Sequence, residues 1–142
     1  MKYLVIAIFF LNSCSTKENE LLKNGESFLK QNLNDPASYE KITAEIKDTI
    51  TSYEFLKDAI KYNTTRYEDE VKRESPSTML TDFYSQKIDS LQKAMQVADS
   101  NEVYYIELNY RYRAKNKFGA LVVQNSQIRY FAKEAKFFPY DL

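Results

Sequence analysis

Between Tyr104 and Ala114 the chain alternates strictly, with Tyr104, Ile106, Leu108, Tyr110, Tyr112 and Ala114 on one parity and Tyr105, Glu107, Asn109, Arg111 and Arg113 on the other. A period of two sustained over that length describes a strand with one face in a core and one in water. A lone strand or hairpin is marginal in water, so whatever else the chain does must supply further strands and a cover for the apolar face. Tyr104, Tyr110 and Tyr112 are expected in the core and Tyr105 outside, while Tyr130 has no clear side.

The pattern breaks at Lys115-Asn116-Lys117, and Phe118-Gly119 introduces a second strand from Ala120 to Ala132. Its alternation slips between Gln124 and Gln127, which predicts a hairpin with a bulge or short turn in that strand. The aromatic tail Phe137-Phe138-Pro139-Tyr140 is expected to cover the sheet edge. Upstream, Tyr39–Thr51 has isoleucines at helical spacing but is rich in threonine and isoleucine with partial alternation; it reads as a strand partner for the C-terminal hairpin.

Helical spacing is plain elsewhere. Leu21, Leu22, Gly25, Phe28, Leu29 and Leu33 share one face of a helix from about Lys17 to Leu33, stopped by Asn34-Asp35-Pro36. Tyr53–Glu74 and Thr81–Ala98, divided by Ser75-Pro76-Ser77, read as an antiparallel helical hairpin. The expectation is an α+β domain: an N-terminal helix, a small antiparallel sheet with a C-terminal hairpin, and the helical hairpin, 53–98, as an insertion.

A chain of 142 residues with 44% hydrophobic content suits one domain burying about two-thirds of its unfolded surface. Lysine plus arginine and aspartate plus glutamate both total 20, so no overall field favours nucleic acid or an anionic membrane. The single cysteine, Cys14, excludes a disulfide within the chain.

Cys14 follows Lys2, an apolar run from Tyr3 to Leu11, and the short segment Asn12-Ser13. That is the layout of an export signal, with an apolar run about half the ~20 residues a spanning helix needs. Leu11-Asn12-Ser13-Cys14 resembles the lipobox of bacterial lipoproteins, with Asn12 standing where a small or β-branched residue is usual. The resemblance implies a signal peptide, 1–13, removed after acylation (palmitate-type) of Cys14, a tether at 14–20, and a domain at 21–142 held at a membrane surface, in the outer membrane of a Gram-negative cell. An ordinary secretory signal cut near Ser13 or Ser15 is the plainer alternative. Ser15-Thr16-Lys17-Glu18-Asn19-Glu20 resembles the lysine-then-acidic tag that sends some lipoproteins to the cell surface, and a solvated charged tether also explains it.

Two further stretches, Leu33–Ile42 and Tyr110–Val122, resemble the Asp-Pro-x-Ser and Lys-Asn-x-Phe-Gly signatures of small exported bacterial lipoprotein domains of largely uncharacterised function. They cover about a sixth of the chain. Here they are Asp35, Pro36 and Ser38, then Lys115, Asn116, Phe118 and Gly119. The resemblance implies an α+β exported domain and brings no activity. Turn chemistry explains the residue types: Asp35 and Ser38 cap or turn the backbone around Pro36, Gly119 takes a positive φ, and Phe118 plugs the core beside the turn.

With no histidine, neither a Ser-His-Asp nor a Cys-His arrangement can be built, and no Gly-rich phosphate loop or calcium loop is present. No cofactor, metal or catalytic residue is expected. Arg111, Arg113, Lys115 and Lys117, with the outward Tyr105, are the candidate partner-binding set; protection of a sheet edge is the simpler reading of the cations. Four cations are too few to indicate nucleic acid. The expectation is therefore a noncatalytic, lipid-anchored binding module for an envelope or extracellular protein or glycan. The alternatives are a glycan hydrolase using two carboxylates, or a protective lipoprotein excluding phage or toxin.

Overall fold

The structure, a computed structural model, describes residues 6–140, with side chains from Thr16 onward. Lys2, Tyr3 and the rest of 1–5 lie outside the described residues, as does the Cys14 side chain, so the leader and acylation readings rest on sequence. Element order is α1 (Ile6–Gln31), a single 3-10 turn (Pro36–Ser38), β1 (Glu40–Thr51), α2 (Ser52–Val71), α3 (Thr78–Gln96), β2 (Val103–Lys115), β3 (Leu121–Phe131) and β4 (Lys136–Pro139). The four strands form one antiparallel sheet in the order β1-β2-β3-β4, the expected α+β architecture. The described parts of Met1–Thr49 and Tyr105–Leu142 form one compact unit and Ile50–Tyr104 a second.

In the first unit α1 lies on the inner face of the sheet. It begins earlier than its periodicity suggests, because no proline or glycine interrupts 6–24, and residues 16–20 are helical and exposed. It ends at Gln31, where Asn32 N–H and Leu33 N–H reach back to Leu29 and Lys30 carbonyls and the Asn32 amide donates to Phe28 O at 2.9 Å. The core is Leu29 from α1, Leu108, Tyr110, Tyr112 and Ala114 from β2, and Ile128 from β3. Gly25 is the point of closest approach: a Cβ there would collide with Tyr110 Oη and sit 3.0 Å from Ile128 Cδ1. The absent side chain lets Tyr110, 1% exposed, donate its hydroxyl to Leu22 O at 2.8 Å, fastening helix to sheet.

The β2–β3 register is unbroken from Tyr105↔Phe131 to Lys115↔Leu121. The predicted bulge in the second strand is absent. Its alternation slips in sequence because Gln124 and Ser126 hold inner-face positions beside Tyr112, whose hydroxyl lies 3.1 Å from both Gln124 Oε1 and Ser126 Oγ. Glu107, assigned to the wet face, is only 7% exposed: Arg129, directly across, donates Nε and Nη2 to its Oε1 at 3.1 and 2.9 Å, and Lys47 lies 3.4 Å from Oε2. Tyr130 falls on the inner face, 5.0 Å centroid to centroid from Phe137. The aromatic tail forms β4, which pairs with Ile128–Phe131 only.

The second unit is the helical hairpin. Thr51 and Glu54 close a capping box at the start of α2, and Ser77 caps α3, which begins at Thr78, three residues ahead of its expected start at Thr81. Glu70, 4% exposed, accepts from Ser77 N–H at 3.0 Å and meets Arg73 at 3.1 Å, so this buried acid ties off the turn. Tyr104, expected in the sheet core, is half-buried and stacks on Phe55 of α2 at 4.2 Å. The apolar stripes of α2 and α3 are only half-buried; Ser52 and Glu70 are the fully buried residues of these helices.

Candidate binding groove

The two sequence signatures meet in space. Ser38 Oγ donates to Asp35 O at 2.7 Å and accepts Lys115 N–H at 2.8 Å, while Lys115 Nζ lies 3.7 Å from Asp35 Oδ2. Asp35 thus gives its carboxylate to Lys115 and makes no side-chain cap at Pro36; of the expected cap or turn it is the turn that forms, with Asp35 O accepting Ser38 N–H at 3.1 Å. Asn116 holds the hairpin tip: its Oδ1 accepts Phe118 N–H at 2.9 Å and Ala120 N–H at 3.1 Å, and Gly119 follows at φ +80°. Phe118, expected to plug the core, is 82% exposed, because it sits at the tip beyond the last paired residues. Its ring lies 5.1 Å from Lys117 Nζ.

These contacts place the end of α1 beside the first half of β3. Between them lies a groove of about 560 Å³. Phe28, Asn32, Leu33 and Asn34 form one wall; Gln124, Ser126 and Tyr112 form the floor; Tyr140 and Pro139 close one end, and Lys115 lines it as well. Its chemistry is amide and hydroxyl hydrogen bonding beside apolar surface, and no carboxylate lines it. A smaller hollow of about 270 Å³ on the outer face includes Glu45, Asn109, Arg111 and Asn125. A third, of about 430 Å³, lies along α2 and includes Asp58, Lys61, Tyr62, Arg66 and Asp69.

The groove runs along an open sheet edge. Asn116 N–H donates to Ala120 O, so by antiparallel alternation Val122, Gln124 and Ser126 exchange hydrogen bonds with β2, and Leu121, Val123 and Asn125 turn theirs away from it. Tyr140 N–H reaching Gln127 O at 3.1 Å has the same phase. Among the described residues the β4 side of the ladder stops there, leaving the first half of β3 as edge.

The sequence-derived set is only partly gathered. Arg111, Arg113 and Lys115 stand on the outer face across from Asn125, Val123 and Leu121. Arg113 lies 3.4 Å from Glu40 Oε2, an exposed contact of little energetic weight. Lys117 is at the tip, and Tyr105 lies at the other end of β2, with the Arg129 guanidinium 4.7 Å above its ring and Phe131 beside it. Sequence reasoning missed the groove; its trace was the same polar run, Gln124–Gln127, read as a bulge.

Buried hydroxyls on the helix side carry shifted pKa values. Burial, with Glu26 and Tyr112 adding, pushes Tyr39 up to about 12, and burial foremost raises Tyr110. Glu26 is partly desolvated, which opposes ionisation, but contacts with Lys30 at 2.8 Å and Lys41 at 3.2 Å outweigh this and hold its carboxyl below the usual value. Among the described residues no three acidic or thiol side chains converge as a metal site, and no helix is long and apolar enough to cross a membrane. Compared with protein-family models, curated proteins and solved structures, the chain matches none.

Proposed function

We propose that the protein is a lipid-anchored lipoprotein of the cell envelope, acylated at Cys14, whose sheet unit is a noncatalytic binding module using the groove beside β3. The observation that carries the reading is the groove lining: hydrogen-bonding amides and hydroxyls flanked by Phe28 and Tyr140, with no acid among them. Such a surface orients a polar ligand through hydrogen bonds and offers it no carboxylate to act as general acid or base. The leader and lipobox support the address; Lys17 and Glu18 support a cell-surface location. The two-carboxylate hydrolase has less support. In the α2 hollow, Asp58 and Asp69 sit eleven residues apart on one helix, about 16 Å of rise, against the roughly 5–9.5 Å separating glycosidase acids.

Photo-crosslinking in intact cells tests this, with a benzophenone amino acid replacing Gln124 in the groove or Asp58 on α2. Adducts specific to position 124 are expected; absence of any adduct there across several growth conditions refutes the binding reading. Cys14→Ser should move the protein out of the membrane fraction, and its retention there refutes the anchor.

A further inference from the structure

We propose that the open edge of β3, Leu121–Ser126, accepts an extended acidic peptide segment as an added strand, in line with β4. This rests on the binding reading of the groove and specifies its ligand.

Four observations converge. Among the described residues the outward backbone groups of Leu121, Val123 and Asn125 have no partner strand: β4 pairing ends at Ile128, and the last contact is Tyr140 with Gln127. An edge of six residues, about 20 Å long, is enough for a short strand to gain affinity from main-chain hydrogen bonds. The two edges of the sheet also differ in protection. β1, the opposite edge, carries five charged residues among its twelve, Glu40, Lys41, Glu45, Lys47 and Asp48. The open stretch of β3, Leu-Val-Val-Gln-Asn-Ser, has no charge and no proline. Charges of that kind keep foreign strands off an edge, and the open stretch of β3 has none.

The third observation is depth. Inner-face side chains of an added strand would enter the 560 Å³ groove beside Gln124 and Ser126, which suits small hydroxyl or amide groups. The fourth is charge. Outer-face side chains would lie beside Leu121, Val123 and Asn125, with Lys115, Arg113 and Arg111 one strand further. That is two strand spacings, about 9.6 Å, which an arginine and a glutamate bridge between them. Among the described residues the nearby acids are Asp35, Glu40 and Glu45, which the four hairpin cations Arg111, Arg113, Lys115 and Lys117 outnumber by one. A second copy of the chain fits less well. Pairing two β3 edges would bring each hairpin tip against the other copy's Tyr140 and set both rows of cations on one face.

The test is an NMR titration of the isotope-labelled full chain in detergent micelles. The probe is a capped heptapeptide alternating Glu and Thr, compared with its Lys-Thr analogue and with the Glu-Thr peptide N-methylated at alternate amides. Saturable binding is expected, with amide exchange at Leu121, Val123 and Asn125 slowed at least tenfold and that of Val122, Gln124 and Ser126 unchanged. Both comparison peptides should bind at least tenfold more weakly. Val123→Pro removes only an edge-facing N–H and should abolish binding while leaving the β2–β3 ladder resonances in place; Arg111→Glu should weaken binding several-fold. Equal binding by the N-methylated peptide overturns the proposal. So does protection of the same amides that grows with protein concentration without peptide, which would make a second copy the occupant. If no peptide binds but a chito-oligosaccharide shifts the Gln124 and Ser126 signals, strand addition fails and the binding groove stands; if neither shifts them, both fail.

Discussion

Gly25→Ala probes the closest contact in the sheet unit. In an isolated helix this change would stabilise by about 1 kcal/mol. Here the new methyl meets Tyr110 Oη and lies 3.0 and 3.1 Å from Ile128 Cδ1 and Leu108 Cδ1, three atoms that cannot all yield because their residues are almost wholly buried. Overpacking of this kind costs about 1–3 kcal/mol, and displacing the Tyr110 hydroxyl from Leu22 O costs about 1 more. After crediting helix propensity, the net loss is about 2 kcal/mol, or a urea midpoint lower by about 1 M. Urea unfolding followed by circular dichroism measures it, with exposed Asn24→Ala as a control that should be neutral or slightly stabilising. Tyr110→Phe removes the colliding oxygen, so the double variant should be at least about 1 kcal/mol more stable than the two single losses predict. A neutral or stabilising Gly25→Ala, or strict additivity, would refute the close approach of α1 to β2.

Glu107→Ala leaves Arg129 and Lys47 facing one another without their shared anion, and should cost about 2 kcal/mol by the same urea assay. Glu107→Gln, which can still accept from Arg129, should lose about half as much. Because Tyr39 and Tyr110 have folded pKa values above the unfolded tyrosine value of 10.0, the stability they contribute is complete below pH 10 and lost as pH rises towards about 12. Thermal melts between pH 9 and 12 should show that loss, flattened in Tyr110→Phe. At the hairpin tip, Gly119→Ala meets no neighbouring atom and should cost only the left-handed backbone penalty, about 1 kcal/mol. Asn116→Ala, losing two acceptor contacts, should cost about 1–2 kcal/mol in the same melts.

What the sequence made legible was whatever has a period. The inner parity of β2 from Ile106 onward, the apolar face Leu21-Leu22-Gly25-Phe28-Leu29 and the two hairpin helices stand where their spacing places them, since burial imposes that spacing. Contacts between distant segments were not legible. Glu107 has the composition of an outer-face residue and is buried only because Arg129 and Lys47 converge on it. Gln124 and Ser126 look like a lapse in the strand until Tyr112 gives them partners. Phe118 was assigned inward by its hydrophobicity, although its position at the tip leaves nothing to cover it. Cap boundaries were in reach but unused: Thr51-x-x-Glu54 and Ser77 mark both helix starts.

The helical hairpin enters and leaves the fold between two neighbouring strands, with Ser52 N–H bonded to Glu102 O at 2.8 Å across its base. Topologically, residues 52–102 are one long turn. Replacing them with a four-residue connection would alter loop-closure entropy by only roughly 2 kcal/mol, in favour of the shorter chain. The base of the hairpin is therefore a socket: lineages could lengthen, trade or discard what is plugged into it while β1 and β2 remain neighbours. The sheet and the hairpin are free to evolve at different rates.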